Sequence, residues 1–388
     1  MNRNNEMAAK MLSVAPDSEQ PLEPITSGSI PQYTDDFEVM DREKVIEIFG
    51  ESYSAEMIEW LSTPNDFHTV SLNQLYDTVY KPKAQIVDNL LYAGVYLFAG
   101  APKIGKSFFM AQLGYHVSRG LPIWDYMTHQ GSVLYLALED DYSRLQKRLS
   151  KMFGTEGSEN LLFATKAKVL KSGLMEQLEG FISERKDTKL IIIDTLQRIR
   201  ELGAEKFNYA NDYEVVLQLK QFADLHNICI LLVHHTRKQG ADDCFDTISG
   251  TNGLLGAADG AFVMQKAKRT DNNAVMDIVG RDQQDQRLHL CFDRERCVWQ
   301  LIEADTELWK EPPNPLIEAI ATLVSSESPI WSGSATELLE WLPALEIQPN
   351  ILSRKLNVEA DRLWNEYGIR YENWRTHYGK VIKLTLSV

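Results

Sequence analysis

The sequence predicts an α/β fold in which a mostly parallel sheet, covered by helices, gains antiparallel strands at one edge and is followed by a small C-terminal domain. Three observations predict it. Between about residues 87 and 302, apolar strand-like runs alternate with amphipathic stretches, the pattern of a parallel sheet with crossover helices. The stretch "GAPKIGKS", residues 100–107, lies between an apolar run at 95–99 and a helical stretch at 108–119. Finally "EPPNP", residues 311–315, breaks the chain.

Taken in order, residues 1–34 carry Pro16, Pro21, Pro24 and Pro31 among Ser, Glu and Gln, and are expected to be a disordered tail because they cannot bury enough apolar surface. Residues 35–81 are expected to form a small helical segment, with Val45, Ile46, Phe49, Met57 and Leu61 as its apolar positions. The core, residues 82–305, has strand candidates at 95–99, 133–138, 161–164, 190–193 and 228–233, with helices at 142–152, 174–186 and 210–226 between them. After Gly260 come shorter alternating runs at 261–265, 274–279, 288–292 and 298–302, which predict antiparallel strands on the sheet's edge. A linker at 306–315 leads to residues 316–388. There "WSGSATELLEWL" and "PNILSRKLN" read as helices and "YGIRYENWRTHYGKVIKLTL" as a β-hairpin, with Ser353, Arg354 and Lys355 offered to a nucleic-acid backbone.

Composition narrows the function classes. The formal charge of −15 over 388 residues excludes a protein coated in basic surface, so any nucleic-acid contact must be local. The four cysteines, Cys229, Cys244, Cys291 and Cys297, show no C-x-x-C spacing, which suggests neither a zinc site nor a disulfide framework. No apolar stretch approaches a membrane span and the N-terminus lacks a signal-peptide core, so a cytoplasmic location is expected.

"GAPKIGKS" has the spacing of a phosphate-binding loop. Gly100 and Gly105 allow a tight turn through Pro102 that brings the backbone N–H groups of Ala101, Lys103, Ile104 and Phe108 toward a ligand, and the following helix adds its positive end. Lys106 suits the β- and γ-phosphates, and the Ser107 hydroxyl suits Mg²⁺, which keeps several waters. "LIIID" ends a buried strand in Asp194, a candidate Mg²⁺ acid, although such an acid can also cap a helix. "LYLALEDD" ends another strand in Glu139, the first candidate for a base that polarises water, with Asp140 second; Asp140 or Asp141 is also expected to cap the next helix. "LLVHHTRK" presents His234 and His235 on opposite faces of a strand, which suits one γ-phosphate sensor better than a shared metal. "ISGTNGLLGAADG", residues 248–260, has glycines that would pack a helix close to the sheet.

These motifs, in this order and spacing, resemble the RecA-like ring ATPases, and among them the RepA-type replicative DNA helicases of plasmids and mobile elements, over roughly residues 82–302. The resemblance implies a RecA-like P-loop NTPase core assembled as a homo-oligomeric ring, commonly a hexamer, with ATP and Mg²⁺ at subunit interfaces and single-stranded DNA in the pore. Carried over by position, Lys106 and Ser107 are the loop pair, Glu139 the catalytic carboxylate, Asp194 the metal acid and His235 or His234 the sensor. Those helicases place an Arg near the start of the Gly-rich segment, whereas residues 249–253 here contain neither Arg nor Lys; Arg281, in "GRD", is the substitute expected to act in trans. Pore contacts are expected from Arg198, Arg200 and Lys206 in one loop and Arg237 and Lys238 in another. The C-terminal domain looks like a winged-helix tail, a module that docks proteins as readily as it reads DNA. The expected function is an ATP-dependent DNA helicase or translocase of mobile-element replication, with a primase or initiator protein as an allowed partner and no membrane role. Two alternatives stay open: a RecA-like ATPase that does not unwind, and a DNA-binding regulator switched by ATP.

Overall fold

A computed structural model describes residues 69–80, 82–200, 209–237, 243–248, 252–268, 270–308, 312–342, 347–377 and 379–387. The chain divides into two units, Met1–Thr69 and Val70–Val388, and every described helix and strand belongs to the second. The expected disordered tail, the helices expected at 41–61, and Lys206 and Lys238 lie outside the described residues.

The unit opens with helix α1 (Leu72–Asp77), capped by Ser71 in a capping box, and a short antiparallel pair, β1 (Gln85–Val87) and β2 (Leu91–Tyr92). The core then runs β3 (Gly94–Gly100), α2 (Lys106–Arg119), β4 (Ser132–Ala137), α3 (Tyr142–Phe153), β5 (Leu161–Ala164), α4 (Leu174–Glu184), β6 (Thr188–Asp194), α5 (Leu196–Ile199), α6 (Tyr209–His226), β7 (Cys229–His235), α7 (Asn252–Ala257), β8 (Gly260–Gln265), β9 (Asn273–Gly280), β10 (Gln286–Asp293) and β11 (Val298–Ala304). One nine-stranded sheet results, in the order β11-β10-β9-β8-β3-β7-β6-β4-β5. Strands β3 to β8 run parallel, and β9, β10 and β11 continue the sheet antiparallel.

Period-two alternation explains how continuous apolar runs cover both faces. On β3, Tyr96 and Phe98 pack with Phe109, Met110 and Leu113 of α2, whereas Val95, Leu97 and Ala99 pack with Val216, Leu219 and Phe222 of α6. Each such large side chain removed from water contributes about 1.5–3 kcal/mol. The parallel strand ends are thereby held rigidly, and the loops that leave them inherit fixed positions.

One expectation needs correcting. The run at 261–265 is not an antiparallel edge strand: β8 lies parallel to β3 and turns antiparallel only toward β9. Helix α7 acts as a crossover from β7, which returns the chain in the same direction, and all of β8 except Gln265 is buried.

After Asn314, whose side chain caps the next helix, come α8 (Pro315–Leu323), β12 (Ile330–Gly333), α9 (Ala335–Glu340), α10 (Pro349–Val358), α11 (Ala360–Tyr367), β13 (Ile369–Thr376) and β14 (Gly379–Leu386). The three strands order β12-β14-β13, all antiparallel, over a core that includes Ile317, Leu338, Leu352, Leu363 and Leu384. The C-terminal region is therefore a small α/β unit in which helices lead into a hairpin that closes on a short first strand. α1 packs on α10, where Arg354 Nε lies 2.9 Å from Asp77 Oδ1 and Asn357 Nδ2 donates to the Tyr76 carbonyl at 2.8 Å.

Candidate nucleotide site

The loop between β3 and α2 depends on its two glycines. A Cβ at Gly100 would stand 2.6 Å from Ile104 Cδ1 and 2.8 Å from the Met264 carbonyl oxygen. Gly105 has φ +105°, and a Cβ there would meet the Trp299 ring at 2.9 Å. Lys103 takes a left-handed φ of 64° and no side chain caps α2, so the backbone curls around the helix N-terminus.

The chemistry-bearing side chains converge on this loop. Lys106 Nζ donates to the carbonyls of Gly100 (2.7 Å) and Ala101 (3.0 Å) and lies 3.3 Å from His235 Nδ1. Burial lowers its pKa to about 8, against the pull of the Asp194 and Glu139 carboxylates. Ser107 Oγ donates to Asp194 Oδ2 at 2.7 Å, and the buried Tyr135 hydroxyl donates to the same oxygen at 2.9 Å. Burial raises the Asp194 pKa, while those two hydrogen bonds oppose it. His235 is held below its ordinary pKa by burial and by the Lys106 charge, which keeps the imidazole neutral at pH 7. A pocket of about 510 Å³ opens here, lined among others by Pro102, Lys103, Lys106, Ser107, Glu139 and Asp194.

The residues fit the cofactors that the sequence implies. Ser107 and Asp194 bring two hard oxygen donors together, and no group of three or more His, Cys, Asp or Glu among the described residues could hold a metal. Two protein oxygens suit a Mg²⁺ ion that takes its other ligands from phosphate and water. Lys106, now satisfied by the loop's own carbonyls, is a cation that an anionic ligand would engage.

Other expected residues fall less simply. Ile104 turns its side chain into the core, so it can serve a ligand only through its backbone, whereas Phe108 packs edge-on to Phe292 under the Arg148 guanidinium and lines the pocket. Glu139, half exposed, is reached by Thr195 Oγ1 at 3.4 Å and Arg198 Nε at 3.5 Å. Asp140, the second candidate base, is instead tied to Arg148 (2.7 Å) and Arg144 (3.2 Å) and mostly buried, and Asp141 caps α3. His234 is buried on the opposite face of β7 from the loop.

Of the expected pore cations, Arg198 is not on an open loop. Buried Leu196 and Ile199 wind residues 196–199 into a helical turn that carries it toward Glu139. Arg200 is partly buried and Arg237 is exposed after β7. Arg281 follows β9, and the pairing Gly260↔Gly280 against Gly100↔Met264 places it at the opposite end of the sheet from its own loop. Within one chain it does not come near that loop. In the C-terminal domain, Ser353 is buried and Arg354 is paired with Asp77, so those two are not free for a backbone contact.

Sequence reasoning missed Arg144 and Arg148, which line the pocket from α3, and Tyr135, Thr195 and Trp299, which hold the site's parts. The i,i+4 spacing of Asp140 and Arg144 was the one visible signal.

A family model described as an AAA domain matches residues 62–241, which include the loop, Glu139, Asp194 and His235. That match spans less than half of the chain, and over it the core shows the mostly parallel α/β sheet with a phosphate-loop turn after β3 that the sequence predicts. The chain is also similar to the DNA repair protein RadA of Streptococcus pneumoniae (strain ATCC BAA-255 / R6), 28% identical over 146 residues, which are 37% of this chain and 30% of that protein. The chain thus matches less than a third of RadA's length. Among solved structures, a DnaB-like replicative helicase, solved with a view to its interactions with primase, aligns with TM-score 0.47 at 14% identity, covering 68% of this chain and 74% of that one. The RadB recombinase aligns with TM-score 0.39 at 14% identity, covering 54% and 91% respectively.

Proposed function

We propose that the protein is a ring-forming, ATP- and Mg²⁺-dependent DNA helicase or translocase that serves replication of a plasmid or mobile element. The observation that carries the DNA-coupled part is the Arg198–Glu139 contact: the candidate base shares an ion pair with a cation on the segment that the reading places toward DNA. Lys106 would engage the β- and γ-phosphates, Ser107 and Asp194 would hold Mg²⁺, and Glu139 would orient the attacking water. Mg²⁺, when bound, supplies neutralisation of charge on the phosphoryl oxygens. His235, at the end of β7 and beside Lys106, would register a terminal phosphate. Arg281 would complete the site of a neighbouring subunit, which makes a homo-oligomeric ring, a hexamer in the leading reading, part of the mechanism. The C-terminal unit, with its helices and closing hairpin, would serve as a winged-helix-like docking module. Among the described residues no helix is long and apolar enough to cross a membrane.

The resemblance to a DNA repair protein favours a second reading, a RecA-like ATPase that engages DNA without unwinding it. Strand separation on a forked DNA substrate decides between the two. ATP-dependent release of the displaced strand supports the helicase; ATP hydrolysis stimulated by DNA, with the fork left intact, supports the second reading.

A further inference from the structure

β11 is the last strand of the antiparallel extension, four strands from β3, yet it touches the phosphate loop. The sheet curls around α2, which packs against β11, and Trp299 becomes buried beneath Gly105. Its indole Nε1 donates to the Gly105 carbonyl at 3.2 Å, the same oxygen that accepts from Phe109 N at 3.2 Å to begin α2. The Trp299 backbone is gripped in turn: its N–H donates to Gln112 Oε1 (2.8 Å), and its carbonyl accepts from Gln112 Nε2 (2.9 Å) and from the Trp124 indole (2.8 Å). Four hydrogen bonds thus fix one indole ring against one glycine of the loop.

A trans peptide is planar, with its C=O and N–H pointing in opposite directions. Holding the Gly105 carbonyl on the indole therefore aims the Lys106 N–H away from Trp299, out of the helix N-terminus and toward the side where the triphosphate would lie. We propose that Trp299 is a positioning residue for nucleotide binding, with its indole N–H fixing the Gly105–Lys106 peptide plane before the ligand arrives. The proposal deepens the nucleotide-loop reading and rests on it.

Binding of a fluorescent, non-hydrolysable ATP analogue to the full chain, with Mg²⁺, tests it on three proteins. These are the wild type, Trp299→Phe, and a protein in which Trp299 is replaced by its benzothienyl isostere, which keeps the ring shape and loses only the N–H. Loss of one hydrogen bond should weaken binding about three- to tenfold in both altered proteins, with the melting temperature of the nucleotide-free isostere protein close to wild type. A role confined to packing would leave the isostere protein binding as tightly as the wild type, and that result overturns the proposal. If Trp299→Phe does not fold, the isostere protein decides alone. No binding by the wild type would overturn the nucleotide reading itself, a distinct outcome.

Discussion

The Arg198 guanidinium stands 3.5 Å from the Glu139 carboxylate and joins the helical turn after β6 to the strand end that carries the candidate base. Both side chains are about half exposed, so the pair adds little to stability: Arg198→Ala should change the unfolding free energy by less than about 1 kcal/mol in a denaturant titration. Its effect on activity should be larger. If DNA acts through this cation, Arg198→Ala lowers the stimulation of hydrolysis by single-stranded DNA about tenfold or more; full stimulation in the variant would separate Arg198 from DNA.

Lys106 offers a pH test. Its pKa of about 8 in the free loop means that it is largely neutral at pH 9 and largely charged at pH 7. A bound triphosphate favours the charged form and raises that value, so binding must take up protons, approaching one per nucleotide at pH 9 and close to none at pH 7. Calorimetric titrations in buffers of different ionisation enthalpy measure the uptake. Equal, near-zero uptake at both values would mean that Lys106 does not meet the phosphates.

Asp259 makes a structural prediction at the other end of the sheet. Buried under β3, its carboxylate accepts from Val95 N at 2.9 Å and pairs with Lys83 at 3.3 Å and with Lys220. Burial pushes its pKa up, but the Lys220 and Val95 hydrogen bonds and the two ammonium charges outweigh that and hold it below the usual carboxylate value. A depressed native pKa contributes stability that is full above the unfolded value near 4 and is lost as pH falls through the native one. Asp259→Ala should therefore cost about 3 kcal/mol at pH 7, and the gap from wild type should narrow as pH falls below about 4. An unchanged gap at low pH would contradict the ionic account.

Arg281 lies too far from its own loop to act in cis, so Arg281→Ala should lower ATP hydrolysis by about a thousandfold only where subunits assemble. Mixing it with a Lys106→Ala protein should restore sites whose loop comes from one variant and whose arginine comes from the other. Wild-type turnover by an assembled Arg281→Ala protein would remove the residue from the mechanism.

The sheet was legible because parallel strands buried on both faces read as short apolar runs: the runs at 95–99, 190–193 and 228–233 all coincide with strands of the structure to within two residues. Direction was not legible, since an apolar run carries no sign of which way it points, and β8 was misjudged for that reason. Strands of two or three residues, such as β1 and β2, are too short for periodicity to register. In the site, the residues that end strands, Asp194 and His235, could be anticipated from position alone. Arg148 and Trp299 could not, because which helix face lines the pocket and how far the sheet curls around α2 are decided by packing between segments distant in sequence.

The central claim is that hydrolysis at the loop and engagement of single-stranded DNA belong to one machine. Steady-state ATP hydrolysis with and without single-stranded DNA, on the wild type and on Glu139→Gln, tests it most directly. The account predicts strong stimulation of the wild type by DNA and its loss in Glu139→Gln, with nucleotide binding retained. Slow turnover indifferent to DNA, or a Glu139→Gln protein that hydrolyses ATP at the wild-type rate, would contradict it.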